Sequence, residues 1–295
     1  MAIGADVLVR RPRRSPDRIA SLGRAKLRWR WALRQSEHMR YRGPHRVACG
    51  LAVLGAFVAA FSLAAPPALA APECGAERAT AASVGRPSAR LAWRAELLGR
   101  TPLWSSGPGR HRTSRGSIAP RDAAWLLVLR AAADPMGRCW LHVRLPSRPN
   151  DAAAWVNADR VLLRSTPWRV VVSRRARSIS VYRNGERLRR FSVVVGAPAT
   201  PSPLGLFSIV SVWRWHATDF LGSYILPLTS HSNVLQEFGG GDGRVGIHGR
   251  GGASLLDPLG AARSHGCIRM TNGAIDWLVR TVGADALPGT PVRFQ

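Results

Sequence analysis

Residues 264–269 read Ser-His-Gly-Cys-Ile-Arg, and a second histidine, His248 in a Gly-Ile-His-Gly run, lies 19 residues before Cys267. A cysteine thiolate is a strong nucleophile once a nearby imidazole or cation lowers the pKa of its thiol. His265 supplies a proton handler next to the cysteine, and Gly266 leaves the neighbouring backbone amides unobstructed. This stretch therefore predicts a site for acyl transfer through a cysteine.

The residues that precede this stretch have the pattern of a β-sheet. Strands are predicted at 168–173, 178–182, 189–195 and 206–213, where apolar and β-branched residues recur. Asn184-Gly185 lies between the second and third of them and is the strongest short-range signal for a type I′ hairpin turn. The C-terminal part of the chain is therefore predicted to be mostly sheet.

One helix is predicted after the cysteine. Apolar residues recur at i, i+3, i+4 and i+7 from Ile275 to Val282. Thr271 or Asn272 is a suitable N-cap, and Gly283 is a natural C-terminal stop. We expect this helix to pack on the sheet.

Three segments of the C-terminal part resemble one known family. Its signature, a histidine followed at a distance by Ser/Thr-His-Gly-Cys, is matched by His248 and residues 264–267. Residues 199–207, Ala-Thr-Pro-Ser-Pro-Leu-Gly-Leu-Phe, and residues 239–248, Gly-Gly-Gly-Asp-Gly-Arg-Val-Gly-Ile-His, match the flanking motifs. On these motifs the predicted domain at 166–295 resembles the L,D-transpeptidase catalytic domain, also called the YkuD domain.

The resemblance implies a β-sandwich-like catalytic fold and a role in peptidoglycan. By analogy, Cys267 attacks the carbonyl between the third stem residue and the following D-alanine, and a thioester forms as D-alanine leaves. The amine of a second stem peptide then takes the acyl group and makes a 3→3 cross-link. The family needs no metal or organic cofactor. An L,D-carboxypeptidase, in which water takes the acyl group, and a non-catalytic cell-wall-binding protein are the alternatives.

The resemblance assigns catalytic roles to the motif residues. His248 is the proton donor and acceptor for Cys267, or else a hydrogen-bonded histidine at a strand end. His265 shares a face with the cysteine if the segment is extended, so it could orient the nucleophile or serve as the principal base. Ser264 is expected to bond backbone or imidazole and fix the turn. The amides of Gly266 and Cys267 are candidate oxyanion donors.

Three further positions are candidates for substrate binding. Arg269 could stabilise the thiolate, grip a stem carboxylate, or form a plain salt bridge. Tyr224 could line the acyl pocket, although a core tyrosine fits the pattern equally well. The glycine-rich loop 249–263, which begins at Gly249, is predicted to be mobile and to cover the substrate.

Residues 91–165 predict a separate small β-barrel. Strand candidates at 125–130, 139–145 and 155–163 are separated by turn signals. The order Trp-Leu-x-Val-x-Leu-Pro, a polar loop, then Trp-Val resembles the bacterial Src-homology-3-like domains of cell-wall proteins. The aromatic residues of these strands fit a core at least as well as a binding surface, so no binding site is predicted here.

The beginning of the chain reads as an export signal. Residues 47–65 form an uncharged apolar run that follows arginines and precedes an Ala-Leu-Ala site. We expect residues 1–70 to be a leader and signal peptide cleaved after Ala70, with Met39 as an alternative start and residues 71–90 as a linker. The competing interpretation is an uncleaved membrane anchor. Either way the protein is expected outside the cytoplasm, in the cell wall or periplasmic space.

Charge and cysteine usage fit an exported wall protein. The formal net charge is +26, of which residues 71–295 carry +16. No nucleic-acid-binding motif is present, and export argues against that partner, so attraction to anionic cell-wall polymers is the expected consequence. Cys74, Cys139 and Cys267 remain after cleavage. A bond between the first two is one possibility and would leave Cys267 as the free thiol.

Overall fold

The computed structural model describes residues 83–109 and 111–295. The predicted leader, the alternative start at Met39 and the first part of the predicted linker lie outside the described residues, as does Cys74. Within the described ranges, no helix is long and apolar enough to cross a membrane. The described residues all belong to one compact unit that spans residues 65–295.

The first part of this unit is an antiparallel sheet in the order β3-β2-β6-β5-β4-β1-β7. Its strands are β1 Ala92–Leu97, β2 Thr101–Trp104, β3 Ser114–Ile118, β4 Trp125–Ala133, β5 Cys139–Arg144, β6 Ala153–Asn157 and β7 Val161–Thr166. A short 3-10 helix, Ala158–Arg160, connects β6 to β7. Alternation along β5 buries Leu141 and Val143, and a hydrophobic core of its own forms on this sheet. The resemblance of this part to Src-homology-3-like domains stays a prediction.

The second part contains eleven strands and one α-helix. They are β8 Trp168–Ser173, β9 Ser178–Arg183, β10 Glu186–Ser192, β11 Val195–Gly196, β12 Gly205–Ser208, β13 Trp213–Arg214, β14 Tyr224–His231, β15 Arg244–His248, β16 Ala262–Ser264, β17 Ile268–Arg269, α1 Asn272–Val282 and β18 Pro291–Phe294. A five-stranded sheet has the order β10-β9-β8-β18-β12, and a four-stranded sheet has the order β13-β14-β15-β17. Strands β11 and β16 form a third, parallel pair.

The two larger sheets and the helix share one hydrophobic core. The five-stranded sheet contributes Val170 and Ile179, the four-stranded sheet Ile247, and α1 Ile275 and Leu278, all fully or almost fully buried. Burial of such a contiguous apolar set is the main stabilising force for an arrangement of this kind. The mostly β fold class with one packed helix is confirmed.

Two local predictions are confirmed in detail. Asn184 and Gly185 both have positive φ angles, 52° and 88°, as a type I′ turn between β9 and β10 requires. Helix α1 is capped by Thr271, whose hydroxyl oxygen accepts the Ala274 N–H at 3.2 Å, and it stops at Gly283 with φ 93°.

The predicted continuous strand at 206–213 is wrong. Strand β12 ends at Ser208, and β13 begins only at Trp213. Strand β12 pairs with β18 in the five-stranded sheet, whereas β13 pairs with β14 in the four-stranded sheet. The chain crosses from one sheet to the other between them, and the buried Ile209 keeps the crossing apolar. An apolar run that serves two sheets looks like one strand in the sequence.

Candidate active site

Residues 264–267 form a tight turn between β16 and β17, called the 264–267 turn below. Ser264 is buried, and its hydroxyl donates to the carbonyl oxygen of Cys267 at 2.6 Å while it accepts the Gly266 N–H at 3.1 Å. Gly266 has a φ of 119°, a conformation that a side chain would strain. Of the two partners considered for Ser264, backbone and imidazole, the structure shows backbone.

A second serine fixes the turn from outside, and the sequence assigned it no role. The hydroxyl of Ser202, which is 1% exposed, donates to the Gly266 carbonyl at 2.7 Å and accepts the Gly196 N–H at 3.0 Å. Thr200 donates from its hydroxyl to the carbonyl of Ser264 at 3.2 Å. Both residues lie in the Thr-Pro-Ser-Pro motif of residues 199–207, which was the signal that could have identified them.

Parallel pairing of β15 with β17 brings the cysteine and the first histidine to one face. The register pairs Ile247 with Ile268 and His248 with Arg269. Because side chains alternate along a strand, the two isoleucines face the core and His248 and Arg269 point the other way, as Cys267 does. The Gly246 N–H, two residues before His248, lies 3.4 Å from the Cys267 sulfur.

The surroundings of the sulfur favour a neutral thiol. Cys267 is a free, partly exposed cysteine. Burial of the sulfur raises the pKa of Cys267, while the Gly246 N–H and the positive charge of Arg269 act in the opposite direction. A base would therefore be needed to convert this thiol into a thiolate.

His248 is held as a neutral imidazole. Its side chain is 2% exposed, and Nδ1 lies 2.8 Å from the carbonyl oxygen of Gly249. A carbonyl only accepts, so Nδ1 carries the proton. Burial lowers the pKa of His248 to about 4, the carbonyls of Gly249 and Leu221 oppose this, and Arg269 adds to it. The other ring nitrogen thus has a lone pair, which is the state that a general base requires.

Arg269 is buried and forms the salt bridge that was one of the three interpretations of this residue. Its guanidinium donates to the carboxylate of Asp257, and it lies over the ring of Phe220 at 4.7 Å. The Phe220 ring lies 6.3 Å from the His248 ring. Asp257 and Phe220 come from separate loops and were missed by the sequence, which carries no periodic signal at either position.

His265 lies on the surface of the turn. Its exposed ring stacks on Phe238, with ring centroids 4.6 Å apart and an interplanar angle of 27°. The backbone bends at residues 265–266, so the extended segment that would have given His265 and Cys267 a common face is absent and that premise is wrong. The role of His265 stays a prediction.

The two candidate oxyanion donors differ in their availability. The Gly266 N–H already donates to the Ser264 hydroxyl at 3.1 Å, so it does not point to an oxyanion as the sequence suggested. The hydrogen bonds of the described residues give the Cys267 N–H no acceptor. Of the pair, Cys267 is the one whose amide is free to receive a developing negative charge.

The glycine-rich loop 249–263 is organised around a buried arginine. Arg250 donates to three backbone carbonyls of its own loop, those of Ser254, Leu255 and Asp257. The segment Gly252–Leu256 forms a 3-10 helix. At Gly249 a Cβ atom would collide with the side chain of Asn272, so packing accounts for that glycine.

Tyr224 is the first residue of β14, and its carbonyl accepts the Gly249 N–H at 3.1 Å. It is partly buried and packs against the shared core. It lines a cavity of about 700 Å³ together with Trp215, Asp276 and Arg280, and the lining of that cavity includes neither Cys267 nor His248. Substrate binding by Tyr224 stays a prediction.

The loop that carries Phe238, residues 232–243, is held by the first part of the unit. Arg148 donates to three of its carbonyls, those of Ser232, Leu235 and Asp242. The side-chain amide of Asn150 bonds both the N–H and the carbonyl of His231, at 2.7 and 2.8 Å. We call these contacts the 148–150 clasp. It connects the first sheet to the ring that covers His265.

The structure also bears on possible metal ligands and on the pairing of the cysteines. In the part of the chain that the structure describes, no group of three or more His, Cys, Asp or Glu residues is placed to hold a metal ion. Cys139 is disulfide-bonded, whereas Cys267 is free. Since Cys74 lies outside the described residues, its pairing with Cys139 stays a prediction.

Residues 167–293 match the model of the YkuD family, described as the L,D-transpeptidase catalytic domain. The chain therefore carries a YkuD catalytic domain in its C-terminal part, and the resemblance drawn from the motifs is confirmed. No curated protein matches the chain in a sequence comparison.

Several solved structures are similar to the chain at low identity. The catalytic domain of an L,D-transpeptidase from E. faecium is 20% identical, with a TM-score of 0.33, and the match covers 43% of this chain and 96% of that one. An L,D-transpeptidase from Mycobacterium tuberculosis is 16% identical, with a TM-score of 0.34, covering 54% and 90%. One from Xylanimonas cellulosilytica is 21% identical, with a TM-score of 0.31, covering 44% and 61%. The family assignment rests on the family model and not on these structures.

Proposed function

We propose that this protein is an exported peptidoglycan L,D-transpeptidase that forms 3→3 cross-links through a thioester on Cys267. The observation that carries the proposal is the pairing of β15 with β17, which places His248 opposite Arg269 while the Gly246 N–H of the same strand lies 3.4 Å from the Cys267 sulfur. The YkuD match of residues 167–293 supports the reaction type. Export and the cell-wall location rest on the apolar run and cleavage site at residues 47–70.

In the acylation step, the unprotonated ring nitrogen of His248 takes the proton of the Cys267 thiol. The sulfur then bonds to the carbonyl carbon of the third stem residue, and the Cys267 N–H stabilises the resulting oxyanion. The bond from that carbon to the D-alanine nitrogen breaks, and the imidazolium returns the proton to the departing amine. A thioester on Cys267 and free D-alanine result.

In the transfer step, the amine of a second stem peptide attacks the thioester carbonyl. Its nitrogen loses a proton to His248 as the new amide bond forms, and the carbon–sulfur bond breaks. The proton then returns from His248 to the Cys267 thiolate, which restores the neutral pair. Water in place of the amine would give an L,D-carboxypeptidase with the same residues.

The pKa shifts of Cys267 and His248 support a mechanism that starts from a neutral thiol and a neutral imidazole. Burial raises the pKa of Cys267 and lowers that of His248, so the ion pair of thiolate and imidazolium is disfavoured until substrate is bound. Arg269 favours the thiolate but opposes the imidazolium. Substrate that displaces water and supplies new dipoles is then required for proton transfer.

The test is to incubate the purified full chain with disaccharide tetrapeptides and analyse the products by mass spectrometry. Dimers with a 3→3 linkage and released D-alanine support the proposal. Tripeptide monomers alone would replace it with the carboxypeptidase, and an absence of any product would favour a non-catalytic wall-binding protein. The C267A variant should form neither the cross-linked product nor the thioester.

A further inference from the structure

The five-stranded sheet has an outer face on which arginines lie side by side. Its inner face buries Val170 of β8 and Val181 of β9 in the shared core. Because alternate side chains of a strand point to opposite faces, the positions between them point outward. The register pairs Arg169 and Arg187 each with Tyr182. Arg190 lies opposite Ser180, and Ser180 lies opposite Val171 on its other side. Val171 in turn lies opposite Arg293. We call Arg169, Arg187, Arg190 and Arg293 the arginine face.

No carboxylate in the described part of the chain forms a salt bridge with these arginines. Arg187, Arg190 and Arg293 are exposed, and Arg169 lies half-buried over the ring of Tyr182 at 4.5 Å. None of the salt bridges between described residues involves any of the four. Between residues 168 and 192 the chain has eight arginines and a single carboxylate, Glu186. Glu186 lies opposite Arg183 in the strand register, at the hairpin end, and is outside the arginine face.

The positive surface continues past Arg293. A cavity of about 420 Å³ brings Arg293 together with Arg86 and Arg130, and no carboxylate lines it. His142 also lines this cavity, and its pKa is lowered to about 4 by burial and then by the charges of Arg130 and Arg144. Burial is the larger of these causes, and the two arginines add to it.

We propose that the arginine face binds an extended polyanion that carries repeated phosphate groups. Its charges are spread across neighbouring strands, which lie about 4.8 Å apart, so they match a row of anions better than one small ion. The guanidinium fork bonds phosphate oxygens in pairs. The only aromatic ring of the face, Tyr182, lies under Arg169, so no ring is free to stack on a base as single-stranded nucleic acids require.

The position of this face fits a role that leaves the active site free. Val170 and Ile179 of the five-stranded sheet and Ile247 and Ile268 of the four-stranded sheet face the same core. The arginine face and the face that carries Cys267 therefore each lie on the side of their own sheet that is turned away from that core. A polyanion bound to one would hold the enzyme without covering the other.

The test measures binding of the full chain to inorganic polyphosphate over a series of salt concentrations. The variant R187Q/R190Q/R293Q should bind about tenfold or more weakly at low salt, and the slope of log Kd against log salt should fall by roughly one for each phosphate that is no longer bound. The variant R121Q/R160Q/R164Q removes the same charge from exposed positions of the first sheet region and should change the Kd less than threefold. Equal weakening in both variants, or none in the first, overturns the proposal.

Two further measurements distinguish a charged polymer-binding surface from a site of another chemistry and from a membrane surface. The charge-retaining variant R187K/R190K/R293K should bind within a few-fold of the unaltered protein, and complete loss of binding there would show that charge is not the cause. Vesicles of anionic phospholipid at the same phosphate concentration should bind more weakly than polyphosphate. Tighter binding to the vesicles would replace the polymer by a membrane surface. Formation of the thioester on Cys267 from disaccharide tetrapeptides should be the same in all variants. Failure of this proposal is therefore distinguishable from failure of the proposed reaction.

Discussion

Arg269 is the residue whose charge acts on both Cys267 and His248. Arg269 is 5% exposed, and its guanidinium contacts both the carboxylate of Asp257 and the face of the Phe220 ring. From there it lowers the pKa of Cys267 and of His248 alike. One cation thus favours the thiolate and disfavours the imidazolium, and its net effect depends on which group holds the proton.

Replacement of Arg269 by glutamine should raise the pKa of the Cys267 thiol. Loss of the cation destabilises the thiolate, so the pH midpoint for alkylation of Cys267 by iodoacetamide should move upward. Asp257 would also lose its partner, which should cost about 2 kcal/mol of stability because the carboxylate is still partly reached by water. R263Q removes an exposed arginine four residues from the cysteine and is the matched control. A midpoint that stays in place in R269Q, or moves equally in R263Q, would contradict the assigned effect.

At the residue scale, the sequence identified the candidate residues that lie within the motifs. His248 and Arg269 are register partners because β15 and β17 pair in parallel, and Cys267 directly precedes β17. The partners that hold them come from elsewhere in the chain. Ser202 reaches the Gly266 carbonyl across 64 positions, and no local pattern marks a serine for such a contact. The free amide of Gly266 was wrongly expected for the same reason, because its acceptor depends on the exact bend of the turn.

At the element scale, the 148–150 clasp connects the first sheet to the loop 232–243. Arg148 and Asn150 together bond the backbone of residues 231–242 at several points. The same loop carries Phe238, which stacks on His265. The first sheet therefore determines the position of one wall beside the 264–267 turn.

The variant R148A should loosen this loop while the catalytic strands stay folded. Loss of hydrogen bonds from a charged donor to three carbonyls should cost about 2 kcal/mol in total. Hydrogen exchange of residues 232–243 should become about tenfold faster or more, and exchange in β15 should be unchanged. R115A removes a single bond to the Ala153 carbonyl within the first part and provides the comparison. Unchanged exchange in the loop of R148A would show that the clasp does not hold it.

Elements with local signals were predicted well, and those that depend on distant contacts were not. The β9–β10 hairpin follows from Asn184-Gly185, and α1 follows from its apolar spacing and from Thr271 and Gly283. The strand at 206–213 failed because its apolar residues serve two sheets. The clasp was invisible because Arg148 contacts residues 84 or more positions away.

At the scale of the whole molecule, buried histidines make the fold sensitive to acid. The pKa values of His248 and His142 are both lowered from 6.5 to about 4, chiefly by burial. An unfolded chain binds protons at these two residues between pH 6.5 and 4, whereas the folded protein does not. Stability is therefore fully present above pH 6.5 and is lost as the pH falls toward 4.

We expect the free energy of unfolding to fall by a few kcal/mol between pH 6.5 and 4. His248 should contribute more of this change because it is almost fully buried. His142 should contribute less because water screens its partly exposed ring. Urea denaturation at a series of pH values measures this change. The variant H142Q should flatten the dependence and leave stability at pH 7 within about 1 kcal/mol, because glutamine is uncharged as the native imidazole is. H111Q replaces an exposed histidine of the same sheet region and should leave the slope unchanged. A slope that is identical in H142Q and the unaltered protein would assign the acid sensitivity to other groups.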